Sequence, residues 1–219
     1  MGTVMGKRTY EQFCGLAQAL DLVGERWTLR IVRDLSLGPQ RFTDLQSGLP
    51  GIGTGLLTER LRHLEGLGVV DRTQLPPPAH VPVYELTPAG HELAAAMLPL
   101  AVWGARRLPS HSDDLLFRAE WLLLSLRERF DRRAAQGVHD LYEFHVDGQP
   151  LHVRVDDGRL ETHRGPSPVR PDLVVHTDAA TFMAIGVGEV TADEAASAGR
   201  VTVEGDADVL RRCLAIFRL

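Results

Sequence analysis

The chain has 219 residues, is 44% hydrophobic and 24% charged, and carries a formal net charge of −5, a profile that fits a globular protein of one large or two small domains. No apolar run reaches the ~18 residues that span a bilayer, the amino-terminal stretch lacks the apolar segment of a secretory signal, and the acidic total argues against general polyanion binding. Two cysteines, Cys14 and Cys213, are too few and too far apart for a disulfide framework or a metal-ligand pattern, so the expected location is the cytoplasm with both thiols reduced.

The total hides an asymmetry. Residues 1–109 hold 11 Arg/Lys against 10 Asp/Glu, whereas residues 110–219 hold 13 against 19. The acidic surplus therefore sits in the second half, which implies two units with different partners, 1–109 and 110–219. The Pro/Ser/His/Asp stretch at 106–114 interrupts two helical patterns and marks the junction.

In chain order, Phe13, Leu16, Leu20 and Val23 recur at helical spacing, as do Trp27, Ile31, Val32 and Leu35. A short helix follows "RFTDL", and a fourth carries Leu57, Leu61 and Leu64 and stops at Gly66 and Gly68. The period then switches. "VVDRTQL" and "VPVYELT" read as two strands joined by a proline-rich tip, and a longer helix starts near Pro88. Beyond the junction, residues 113–135 read as one amphipathic helix with Leu115, Leu116, Ala119, Leu122 and Leu126 on one side. Alternation with turns at "DGQP" and "DDG" predicts an antiparallel meander of three strands over 141–165. "DLVVHT" and "RVTVEG" predict two more strands, with helices at 178–187, at 191–198 and from Asp206 onward. The expected fold class is α+β, a helical half with a two-stranded wing followed by an antiparallel sheet packed with helices.

The stretch "GLPGIGTGLLTERL" at 48–61 is glycine-rich in front of a helix and invites a phosphate-cradle reading. A P-loop needs a lysine where Thr54 stands and a buried strand before its first glycine, and a dinucleotide fingerprint needs glycine where Leu56 stands. Neither pattern is met. With Leu57, Leu61 and Leu64 turned to the core, Gly55, Thr58, Glu59, Arg62 and His63 fall on the opposite face at ~100° per residue. Small residues at the tip followed by hydroxyl and guanidinium donors suit a helix entering a major groove. A solvated surface helix fits the same pattern.

Read together, "CGLAQALDLVGERWTLRIVRDLSLGPQRFTDL", "LPGIGTGLLTERLRHLEGLGVVDR" and "YELTPAGHEL" make residues 10–108 resemble the HxlR-type branch of the MarR-like winged-helix transcription regulators. The resemblance implies a homodimer that pairs its first and last helices and binds a pseudo-palindromic operator in double-stranded DNA. It places the recognition helix near Thr54, implies groove or phosphate contacts from Arg41, Thr54, Gly55, Thr58 and Arg62, and puts Arg72 and His80 in the wing as further DNA contacts, Arg72 on a phosphate or in the minor groove. Relatives carry Ser and Lys where this chain has Gly53 and Gly55, so Thr54 is expected to replace the lost helix cap. Several relatives sense oxidants or electrophiles through a cysteine at the position of Cys14, near Lys7 and Arg8, which makes a thiol sensor the alternative.

The stretch "PDLVVHTDAATFMAIGVGEVTADEAASAGRVTVEGDADVLRRC" makes residues 113–219 resemble the sterol-carrier-protein-2 type of lipid-binding domain. That resemblance implies an apolar or lipid-like effector lodged against Leu116, Trp121, Phe144, Phe182, Met183, Ile185 and Phe217, each of which a plain core would also need. A lipid carrier without DNA function is the third reading. The nine histidines show no i, i+4 pair with an acidic partner. His145 and His152 could face each other across the meander but lack a third ligand, so no metal or other cofactor is expected. No serine sits in a GxSxG elbow. The sequence supports no enzymatic or membrane role.

Overall fold

The computed structural model describes residues 9–108 and 116–219. Lys7, Arg8, Leu115 and the expected junction at 109/110 lie outside them. The chain divides into two compact units, 1–97 and 98–219, within a long helix.

The first unit holds α1 (Gly15–Val23), α2 (Thr28–Leu35), α3 (Phe42–Gly48) and α4 (Thr54–Gly66), then β1 (Val70–Gln74), β2 (Pro82–Leu86) and the start of α5 (Pro88–Ala105). Its core is built by Ile31, Val32, Leu35, Leu45, Leu49, Leu57, Leu61, Leu64 and Val70, with Trp27, Tyr84 and Met97 packed against it. The strands β1 and β2 pair antiparallel, Val70 opposite Leu86 and Arg72 opposite Tyr84. Gln40 extends this wing by exchanging two backbone bonds with Tyr84, while its side chain donates to the Asp34 carbonyl at 2.6 Å. That buried amide ties the end of α2 to the wing. Thr87 opens α5, its hydroxyl accepting from the Gly90 amide at 3.1 Å and donating to the Gly68 carbonyl at 2.6 Å, with Pro88 at the first helical position, where its missing N–H costs nothing. Gly90 is obligatory, because a Cβ there would stand 2.2 Å from the Val69 carbonyl oxygen.

Helix α1 begins at Gly15, two residues after Phe13, which the apolar spacing placed in the helix. Phe13, Leu16 and Leu20 lie exposed while Ala17 and Val23 face inward. The apolar stripe of α1 is directed away from the core of its own chain.

The second unit carries the end of α5, a 3-10 turn at Ala119–Trp121, α6 (Leu122–Arg129), β3 (His139–Val146), β4 (Gln149–Asp156), β5 (Arg159–Arg164), β6 (Leu173–Thr177), α7 (Ala179–Val187), α8 (Ala192–Ser197), β7 (Val201–Gly205) and α9 (Ala207–Phe217). The five strands run in the order β5-β4-β3-β6-β7. The meander is antiparallel as expected, and β6 joins it parallel to β3, Phe144 opposite Val175. Tyr142 and Phe144 point to the helices, where the Tyr142 ring meets Phe217 at 6.1 Å and the Phe144 ring meets Phe182 edge-on at 6.1 Å. The long helix expected over 113–135 is cut short. Phe130 leaves helical geometry because the next amide, Asp131, donates to the Ile216 carbonyl of α9 at 2.7 Å, and Arg218 pairs with the Asp131 carboxylate at 2.8 Å. Leu122 and Leu126 are buried as read, but Leu116 is 52% exposed.

Candidate nucleic-acid interface and ligand cavity

Helix α3 is followed by the turn Leu49–Gly53, closed by the Ile52 amide on the Leu49 carbonyl at 3.1 Å, with Gly51 at φ +89, a conformation that L side chains avoid. This turn aims the first residues of α4 outward. Leu57, Leu61 and Leu64 are fully buried, and Thr54, Gly55, Glu59 and Arg62 stand exposed on the other side with Thr58 half-buried between them. The Thr58 hydroxyl donates to the Thr54 carbonyl at 2.8 Å, and the Thr54 hydroxyl accepts from the Gln46 amide group at 2.9 Å. Thr54 does not take over the cap. It is the first helical residue, the cap position is Gly53, and the Thr54 hydroxyl is engaged by α3. His63 also departs from the expected free face, since its Nε2–H donates to the Leu22 carbonyl at 2.8 Å and fastens α4 to α1.

Arg41 is exposed at the start of α3, where the Asp44 carboxylate accepts from its backbone amide at 3.4 Å. In the wing, Arg72 is exposed beside the Tyr84 ring, with its guanidinium carbon 6.0 Å from the ring centre, and His80 lies exposed at the tip with φ +41.

Two further cations lie close to the α3–α4 turn. The Arg26 and Arg30 guanidiniums stack on Trp27 at 5.4 and 4.7 Å from its centroid, and the edge of the Trp27 ring would contact a Cβ at Gly51 at 3.8 Å. Partial burial, together with the nearby Arg33 and Arg26 charges, lowers the Arg30 pKa from its ordinary value against the opposing pull of Asp34. Sequence reading missed this pair. The visible signal was the R-W-x-x-R spacing around Trp27, which puts both cations within reach of one ring.

In the second unit, a cavity of about 70 Å³ lies between the sheet and α7, α8 and α9, walled by Phe144, Phe182, Ile185, Val203 and Leu214, with Thr177 and Asp193 as its polar groups. Of the residues expected around a ligand, Phe144, Phe182 and Ile185 line this space, and Leu116, Trp121, Met183 and Phe217 do not. Phe217 is instead core, wedged between Phe130 and Tyr142 at centroid distances of 6.0 and 6.1 Å. On the central strand β3, the Asp140 carboxylate is gripped by Arg212 of α9 with two bonds of 2.8 and 3.0 Å, and the Tyr142 hydroxyl donates to it at 2.8 Å. Burial pushes the Asp140 carboxyl up, but these donors outweigh it and hold the group below the ordinary carboxylate range.

Cys14 is exposed at the position before α1, where the Ala17 and then the Leu16 amides lower its thiol pKa. Cys213 is buried, and burial drives its thiol far up. His145 and His152, which the meander could have set face to face, are not opposite each other. The tight turn at Asp147–Gly148 sets Glu143 opposite His152 and His145 opposite Pro150. His145 stacks on His176 at 4.6 Å and His152 on His163 at 4.8 Å. Among the described residues no group of three or more metal-ligating side chains converges, and no helix is long and apolar enough to cross a membrane.

The family model of the HxlR-like helix-turn-helix matches residues 22–112. An uncharacterized HTH-type transcriptional regulator of Mycobacterium tuberculosis is 44% identical over 94 residues, covering 43% of this chain and 59% of that protein. The regulator YvaP of Bacillus subtilis is 35% identical over 97 residues, covering 44% of this chain and 90% of YvaP. The chain belongs to the HxlR-like helix-turn-helix family.

A third relative, the HTH-type regulator YodB of Bacillus subtilis, is 34% identical over 40% of this chain and 79% of YodB. Its quinone-bound crystal structure covers 42% of this chain and 98% of that one with a TM-score of 0.37. These relatives are named as regulators rather than enzymes. The chain spans 59% of the length of the mycobacterial relatives it matches. The SCP-2 sterol transfer family model matches residues 123–218, the span that holds the sheet and its cavity. Within the HxlR-like unit, a Cβ on Gly53 or Gly55 would meet no atom within 4 Å. Both have ordinary backbone angles, so the fold does not need glycine at either place.

Proposed function

We propose that the protein regulates transcription in the cytoplasm by binding double-stranded operator DNA as a homodimer, with an apolar molecule in the second unit modulating that binding. The observation that carries the reading is the outward face of α4, where Thr54, Gly55, Thr58 and Arg62 form one strip at the tip of a helix-turn-helix. Arg62 and the hydroxyls are suited to base edges and phosphates, whereas Arg41, Arg72 and His80 flank the strip for backbone contact. Phe13 before α1, at 113%, Leu16 on α1, at 69%, and Leu100 and Trp103 on α5, at 56%, supply apolar surface for pairing with a second copy. A two-fold dimer would set its recognition helices ~34 Å apart, one turn of DNA.

The cavity supports the effector arm of the reading. At about 70 Å³ it is smaller than the ~150 Å³ that holds benzene, so a longer apolar ligand must part α7 and α8 from the sheet. Such a ligand prefers the widened state, and that differential affinity is what can shift an equilibrium. The test is fluorescence anisotropy of the purified protein on labelled DNA from upstream of its own gene against a shuffled duplex. Salt-sensitive retention of the upstream duplex alone is expected. Equal or absent binding to both contradicts the reading and favours a carrier without DNA function.

A second reading rests on Cys14, exposed with a lowered thiol pKa, as a thiolate that reacts with oxidants or electrophiles. In that case Cys14→Ser abolishes loss of DNA binding on diamide treatment, and an unchanged response in the variant removes it.

A further inference from the structure

The cavity of the second unit is apolar on almost every side, yet the charged side chain among its described wall residues is an acid. Phe144, Val175, Phe182 and Ile185 form the interior, Thr177 adds a hydroxyl, and Asp193, exposed on α8, brings a carboxylate to the boundary with solvent. Among the described residues, no Lys, Arg or His walls the space. The surroundings add to the sign. Asp178 caps α7 by accepting from the Thr181 amide at 2.7 Å, and Glu194 completes a capping box with Thr191 on α8. Burial pushes the Asp178 carboxyl up but the Thr181 amide and hydroxyl outweigh it, and Thr191 holds Glu194 down. The Arg200 charge adds a smaller lowering to both, and Arg200 is not among the described wall residues. Glu194 and Thr191 already satisfy the start of α8, so the helix cap does not depend on Asp193.

We infer that the cavity selects apolar molecules bearing a positively charged head, an amine or quaternary ammonium, and discriminates against those ending in a carboxylate, with Asp193 as the selecting group. The inference rests on the reading that the cavity takes an effector at all. Physically, the apolar tail would enter between Phe144, Phe182 and Ile185 while the head stays at the rim beside Asp193. There a cation gains and an anion loses Coulomb energy of the same size, so the two effects add in the ratio of their affinities. The rim is wet, so the preference weakens with added salt.

The test is isothermal titration calorimetry of the full chain with octyltrimethylammonium, 1-octanol and octanoate, each below its micelle concentration. The expected order is ammonium over alcohol over carboxylate, with the ammonium at least about tenfold tighter than the carboxylate. Asp193→Asn should bring that ratio close to one without changing octanol binding, and raising the salt on the wild type should shrink it in the same direction. Octanoate binding as tightly as the ammonium, or a ratio that survives both Asp193→Asn and high salt, overturns the inference while leaving the effector reading standing. Binding of none of the three probes overturns the inference and the effector reading together.

Discussion

Arg62 stands on the free face of α4 while its neighbours Leu61 and Leu64 are buried, so its removal disturbs a surface and not the core. Arg62→Ala should weaken operator binding by about 1–3 kcal/mol and relax the preference for the upstream duplex, with melting temperature unchanged, both read by anisotropy and calorimetry. Gly55 separates stability from recognition. A Cβ there meets nothing within 4 Å, so Gly55→Ala should stabilise the helix by up to ~1 kcal/mol. If the bare tip matters for close approach to the groove, the same variant binds operator more weakly although it melts higher. Asp140 makes a pH prediction. Its carboxyl is held below the ordinary range by Arg212 and Tyr142, so its contribution is present above the usual carboxylate pKa and is lost as pH falls through the lowered one. Asp140→Asn should cost roughly 1–3 kcal/mol at neutral pH and flatten the acid limb of a stability–pH curve measured by urea denaturation.

At the scale of elements, how much was legible depended on whether a pattern was local. The 3.6-residue period of Leu57, Leu61 and Leu64 placed the inner face of α4 correctly, and Pro88 marked the start of α5. Asp178, Thr191 and Asp206 each sit just before a helix and accept a backbone amide there, which is the signal a cap gives in sequence. The α1 stripe was legible as apolar but not as outward, because periodicity does not say which body an apolar face meets. The end of α6 at Arg129 is set by a bond from Asp131 to Ile216, a partner 85 residues downstream that no local rule reveals. Parallel pairing of β3 with β6 is nonlocal in the same way. The cavity wall was read in part, since Phe144, Phe182 and Ile185 are there, but Val203 and Leu214 looked like any core residues and Phe217 lies in a different aromatic cluster. The Arg26–Trp27–Arg30 stack was not legible as a site because α2 reads in sequence only as an amphipathic helix. Two element-level outcomes follow. Leu16→Glu, on the exposed stripe of α1, should shift the sedimentation coefficient from dimer to monomer without unfolding the unit. Arg30→Ala should weaken binding to specific and shuffled duplexes alike and reduce the slope of log affinity against log salt by about 1.

At the scale of the whole molecule, the unequal charge of the two halves takes on a physical reading. The first half carries Arg41 at the start of α3, Arg60 and Arg62 on α4 and Arg72 in the wing, and the acidic surplus resides in the half that carries the sheet and the cavity. Under the proposed function, ligand in the cavity and DNA on α4 are two sites of one linked equilibrium, so each must change the affinity for the other by the same factor. The measurement that tests this most directly is operator affinity by anisotropy, repeated across a titration of octyltrimethylammonium and paired with probe affinity measured with and without operator. The account predicts salt-sensitive binding to the upstream duplex and an equal factor of change in both directions. Wild-type protein that binds the upstream and shuffled duplexes equally, or binds the probe with no effect on operator affinity, would contradict it.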